Sequence, residues 1–133
     1  MGNRAVITLS ESKASPCIYL HWNGGRASVE AFIKAAKHLG LQSCYRNTTE
    51  HQVMDLLAEM IATHFFKTKV GMTVYREQLG NSDTSNSDNG VYVLDSNLNI
   101  CKRFRNGSAD EIDRNKTSEI FEMIVQRAPA FNF

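Results

Sequence analysis

Cys17-Ile18-Tyr19-Leu20-His21-Trp22-Asn23-Gly24-Gly25-Arg26 is the stretch on which the fold of this chain turns. Up to Trp22 the residues alternate as in a strand, with Ile18, Leu20 and Trp22 on one face and Cys17, Tyr19 and His21 on the other. From Ala27 the period changes. Val29, Phe32, Ile33, Ala36 and Leu39 recur at helical spacing and make one apolar stripe. Gly40 stands where a left-handed cap closes a helix. Gly24 and Gly25 are therefore read as the turn between a strand and a helix.

Working outward, Arg4 to Leu9 reads as a strand rich in β-formers. The polar run from Ser10 to Pro16 joins it to the strand of Cys17 to Trp22 as a hairpin. A second helix starts at Thr49, where Gln52 three residues on completes a capping-box pattern. Val53, Leu56, Leu57, Met60, Ile61 and His64 carry its stripe to about Lys67. Val70 to Gln78, Val91 to Leu94 and Leu98 to Phe104 read as strands. Gly80 to Gly90 contains no apolar side chain and is expected to be an exposed, flexible hairpin tip. A last helix is expected from about Arg114 to Arg127, stopped by Pro129. The order ββααβββα predicts an α+β fold. The expected form is an antiparallel sheet of about five strands, the last three a meander, with the helices on one face.

With 133 residues, 42% of them hydrophobic, residues 1–133 are read as a single domain with its own core. No apolar run approaches the roughly 20 residues of a membrane span. Nor is there an apolar segment after Met1 of the kind that marks secretion. The three cysteines, Cys17, Cys44 and Cys101, have neither disulfide nor zinc spacing. These features together predict a cytoplasmic protein with free thiols and no membrane partner, no metal and no cofactor. A net charge of +1 argues against nucleic acid as the partner, because such binding needs an excess of cations facing phosphates.

Three places invite a functional reading. His21, Trp22, Asn23, Gly24, Gly25 and Arg26 could bind a nucleotide or other anion, with helix-start amides and an arginine fork as donors. Against this stands an ordinary tight turn, since no dinucleotide or phosphate-loop fingerprint is present. The second place is the sheet face away from the helices. If Ile18, Leu20, Met72, Val74, Val91 and Val93 face the helices, then Tyr19, His21, Thr73, Tyr75, Tyr92, Cys101 and Arg103 share the outer face. Tyrosine and arginine are favoured at protein interfaces, although cross-strand tyrosines also simply stabilise sheets. The third is the loop carrying Asp83 and Asp88. It fails the calcium-loop template, with Asp88 where glycine is required and no closing Glu, but could touch a partner. No catalytic constellation is evident. Cys17 and His21 are four positions apart on a strand, about 13 Å, which excludes a dyad.

The strings CIYLHWNGGRASVEAFIKAAKHLG, VGMTVYRE and DNGVYVLDSNLNICKR resemble an uncharacterised family of small proteins of bacteria and their phages or mobile elements. The resemblance implies a small accessory protein that inhibits host machinery, such as a defence system of the CRISPR type, and it brings no catalytic residues with it.

The expected function is thus a non-enzymatic binding protein that occupies a protein partner's surface, or a homodimer through its open sheet face. The first alternative is an anion binder at the glycine turn. The second is a hydrolase or transferase using His21, which needs a polar group within hydrogen-bond reach of that ring.

Overall fold

The computed structural model of the protein describes residues 3–41, 49–68, 74–104, 117–128 and 131, with the side chains of 63–68, 74–77 and 127 outside that description. Expectations placed on Met72 and Thr73, on the side chains of Val74 and Tyr75, and on the start of the last helix fall outside it. Five strands are formed: β1 (Ala5–Thr8), β2 (Pro16–Leu20), β3 (Val74–Gln78), β4 (Val91–Leu94) and β5 (Ile100–Phe104). The helices are α1 (Arg26–His38), α2 (Glu50–Thr68) and α3 (Thr117–Arg127). Each start has a local cause. The capping box of α2 is made, with the Gln52 amide donating to Thr49 Oγ1 at 3.3 Å and the Thr49 amide to Gln52 Oε1 at 3.1 Å. Gly40 takes φ +100° just beyond α1, and its amide donates to the carbonyl of Lys37 at 3.1 Å.

The α+β class holds, but the sheet is mixed. Its strand order is β3-β2-β1-β4-β5. β1 lies at the centre, antiparallel to β2 and parallel to β4. All four residues of β1 are buried, as expected of a strand covered on both faces. The expected meander is therefore corrected. β3 is one edge of the sheet and β4 lies beyond β2 and β1, so the two run parallel with two strands between them. Parallel strands cannot be joined by a tight turn, so residues 79–90 must travel from the end of β3 to the start of β4. They do so across the sheet face opposite the helices. Leu79 packs there against a layer of Val6, Cys17, Tyr19, Val91 and Val93.

The main core lies on the other face. Ile7, Ile18, Leu20, Tyr92 and Leu94 meet Phe32 of α1, Val53, Leu57 and Ile61 of α2, and Ile120 and Ile124 of α3. Trp22, expected in this core, is half-buried at its margin. The tail returns to the body, where the Phe131 amide donates to the carbonyl of Leu39 at 2.8 Å. Among the described residues no helix is long and apolar enough to cross a membrane.

Candidate functional site

The glycine turn is built for close packing. A side chain at Gly24 would meet Ala5 Cβ and the Asn3 carbonyl oxygen at 2.6 Å. The Gly24 amide donates to that carbonyl at 2.8 Å, and its own carbonyl accepts the Tyr92 hydroxyl at 2.8 Å. Asn23 takes φ 57°, a conformation asparagine tolerates better than most residues. Gly25 is the extended residue before α1. Arg26 turns along its own helix to pair with Glu30 at 2.8 Å. Of the groups proposed to hold an anion, Gly24 and Arg26 are thus engaged within the chain.

Tyr92 and Arg103 are not on the outer face. The parallel register sets Tyr92 beside Ile7, and the antiparallel one sets Arg103 opposite Tyr92. Both residues consequently share the helix side. Tyr92 is fully buried. The Arg103 guanidinium lies 4.5 Å from its ring centroid, and Arg103 Nε donates to the Asn89 carbonyl at 3.3 Å. Val91 and Val93 face outward instead. Period-two alternation leaves the choice of face open, and here a buried carbonyl for the tyrosine hydroxyl decides it.

Tyr19 and His21 do share the outer face, and the Tyr19 hydroxyl lies 3.1 Å from His21 Nδ1. In the register Tyr75 lies opposite Tyr19. The face is not open here, because the crossover of residues 79–90 covers it and Tyr19 is buried. The polar character of that segment serves this role rather than a flexible tip. Arg4 Nε donates to Asp88 Oδ2 at 2.8 Å and Arg4 Nη1 to Asp83 Oδ2 at 3.2 Å. Asn86, 2% exposed, donates to the carbonyls of Asp83 and Gly90 and accepts from the amides of Asn89 and Gly90. Asn89 is fully buried and donates to Asn3 Oδ1 and to the Arg4 carbonyl. At the other end the amides of Leu79 and Gly80 donate to the carbonyls of Ser15 and Lys13 at 2.8 and 2.9 Å. Burial tends to raise the Asp88 carboxyl. The hydrogen bonds from the Arg4 side chain and amide, with the charges of Arg4 and His21, outweigh it and hold the group below the usual carboxylate range.

The part of the outer face that stays exposed lies along β5, while the outward-facing Val91 and Val93 of β4 beside it are buried. Here a cleft of about 390 Å³ opens between the crossover and the β1–β2 loop. Val91, Val93 and Phe104 supply its apolar lining, with Leu79 and Gly80 on the crossover side and Glu11 and Lys13 from the β1–β2 loop. Phe104, 48% exposed, is the one exposed large hydrophobic among the described residues. Lys102 Nζ, beside it on the same face, pairs with Glu11 at 2.9 Å, whose hydrogen bond and charge raise the ammonium above its ordinary value. A second cleft of about 350 Å³ lies on the helix side, where Arg26, Glu30, Lys34 and Lys37 of α1 border Asn99 and Ile100.

The structure therefore gathers Tyr19, His21, Asp83 and Asp88 at one end of the outer face, and leaves Trp22 to Arg26 at the turn. It exposes Phe104 and Lys102, which the sequence reading did not single out. The row Arg26, Lys34, Lys37 was legible, since these spacings fall on one side of a helix. His21 does have a polar group in reach, but Cys101 is on β5, three strands and roughly 14 Å from β2. Among the described residues no group of three His, Cys, Asp or Glu could hold a metal ion. Compared with family models, with curated proteins and with solved structures, the chain matches none, so the resemblance assigns no family.

Proposed function

We propose that this is a non-enzymatic binding protein that engages a protein partner along the β4–β5 side of its sheet. The observation that carries the reading is Phe104, half-exposed on an edge strand at the lip of an apolar cleft. Among the described residues no other large hydrophobic is exposed, and a large aromatic at the lip of a cleft is the kind of anchor around which protein interfaces are built. The surroundings of His21 support binding over catalysis, since its ring partner is a buried tyrosine and its neighbours are the ion pairs that hold the crossover. In its most specific form the proposal is inhibition by surface occupation, the role that the resemblance implies.

Two measurements test it together. With a photo-crosslinking residue at position 13, on the cleft margin, one partner is expected to be trapped from host cells. Phe104→Asp is expected to abolish its capture with an unchanged melting temperature. Capture that survives Phe104→Asp refutes the reading, and the identity of a trapped partner decides whether a defence system is the target.

A further inference from the structure

The helix-side cleft of about 350 Å³ carries an excess of positive charge. Arg26, Lys34 and Lys37 line it, and Glu30 is the one carboxylate among its described lining residues. That carboxylate is already engaged, since Arg26 pairs with it at 2.8 Å. Lys34 and Lys37 touch neutral groups instead. The Lys37 ammonium donates to the Asn99 side-chain oxygen, and the Lys34 ammonium lies 4.6 Å from the centroid of the Phe121 ring. An amide oxygen or an aromatic face orients an ammonium group without cancelling its charge.

The wall facing these lysines is rigid. Asn99 stands on the turn between β4 and β5, where the Asp95 amide donates to its carbonyl at 2.9 Å and its own amide donates to Asp95 Oδ1 at 3.0 Å. Its neighbour Leu98 takes φ +62° with its side chain 1% exposed. A leucine keeps that conformation only where its surroundings impose it. Asn99 therefore presents its carboxamide to the cleft from a fixed base. Ile33, buried, and Ile100, half-buried, add apolar lining.

Lys34 and Lys37 are three positions apart and so are neighbours on one face of α1. Their long stems can bring both ammonium groups to a single anion. Lysine has three donors, so Lys37 can keep Asn99 while donating to a ligand. Two cations on one small group suit a dianion. A carboxylate or a sulfate ester carries one negative charge, whereas a phosphate monoester carries roughly 1.5 to 2 near neutral pH. The volume lies at the small end of the range for ligand sites. We infer that this cleft binds a small phosphate monoester, with its phosphate between Lys34 and Lys37 and its organic part against Ile33 and Ile100. The site lies more than two turns of α1 beyond the glycine turn and on the other face of the sheet from the Phe104 cleft, so it does not depend on the protein partner.

The test uses the isotope-labelled full chain, titrated with phenyl phosphate and followed by amide chemical shifts. Saturable shifts are expected at Asn99, Ile100 and along α1 from Ile33 to Lys37. Phenyl sulfate has the same shape and less charge, and is expected to bind about tenfold or more weakly. Lys34→Gln/Lys37→Gln is expected to lower the affinity for phenyl phosphate about tenfold or more, through loss of charge-assisted hydrogen bonds, with the rest of the spectrum unchanged. Lys34→Gln alone, at the exposed position, is expected to lower it several-fold and keeps the test valid if the double variant is perturbed. Lys102→Gln, on the outer side of β5, is expected to change nothing. Equal binding of phenyl sulfate, or binding indifferent to both lysine variants, overturns the inference. So do saturable shifts confined to Gly24 and Gly25, which would place the anion at the helix start. No saturable shift with phenyl phosphate overturns it too, and a hexaglutamate peptide that binds in its stead would make the cleft a docking surface for acidic chains.

Discussion

At Gly24 one missing methyl group joins three parts of the molecule. Its bare Cα lets the turn lie against Ala5 and Asn3, and that approach brings its carbonyl to the Tyr92 hydroxyl. Gly24→Ala would drive Cβ to 2.6 Å from both Ala5 Cβ and the Asn3 oxygen. Neither the backbone of β1 nor a short alanine can swing aside. The substitution is expected to cost about 1–3 kcal/mol, the usual price of overpacking, read by urea unfolding in the absence of any anion. An unchanged midpoint would return the turn to the list of ligand sites. The glycines themselves were legible in the sequence. Their purpose was not, because the atoms that crowd Gly24 belong to residues 3–5, remote from the turn in any local reading.

At the scale of the element, residues 79–90 act as a strap over the sheet. Beyond Leu79 no apolar side chain follows up to Gly90, which suits a segment whose other anchors are polar: Asn86 and Asn89 satisfy buried backbone groups, and Asp88 ties the strap to Arg4. The Asp88 carboxyl titrates lower in the folded protein than in the unfolded chain. Its stabilising contribution is therefore fully present above the ordinary carboxylate pKa of about 4. The contribution is lost as pH falls through the lower, folded value. Asp88→Asn is accordingly expected to be less stable than wild type at neutral pH, with the gap closing on acidification. Parallel urea titrations across that range check it, and a gap that persisted in acid would mean that the carboxylate's charge is not what Arg4 recognises.

Across the whole molecule, β1 is shared by two packed layers. Ile7 belongs to the core beneath the helices and Val6 to the layer beneath the crossover. Neither layer can open without exposing the other side of the same four-residue strand, so the two should melt together. Trp22 is the only tryptophan and lies at the margin of the helical core. Its fluorescence and the far-UV circular dichroism are expected to give coincident urea transitions. Separated midpoints would divide the chain into independent units and remove the expectation of a single domain.

The sequence by itself determined the local elements. The stripe from Val29 to Leu39, the Thr49–Gln52 box, Gly40 and the β-branched runs each act through neighbours a few residues away. Such interactions are written in spacing. The α+β class followed from the order of those elements. Only the tertiary structure decided which strands are neighbours, because a long polar connection is compatible with a hairpin tip or a crossover, and composition does not separate them. That choice set the face of Tyr92, covered the expected open face around Tyr19, and turned Asp83 and Asp88 inward to Arg4. It also left β5 as an edge, with Phe104 exposed on one side and the cations of α1 on the other. Exposure is a property of what lies opposite, and for β5 that is settled by pairing across the sheet, beyond the reach of any period along the chain.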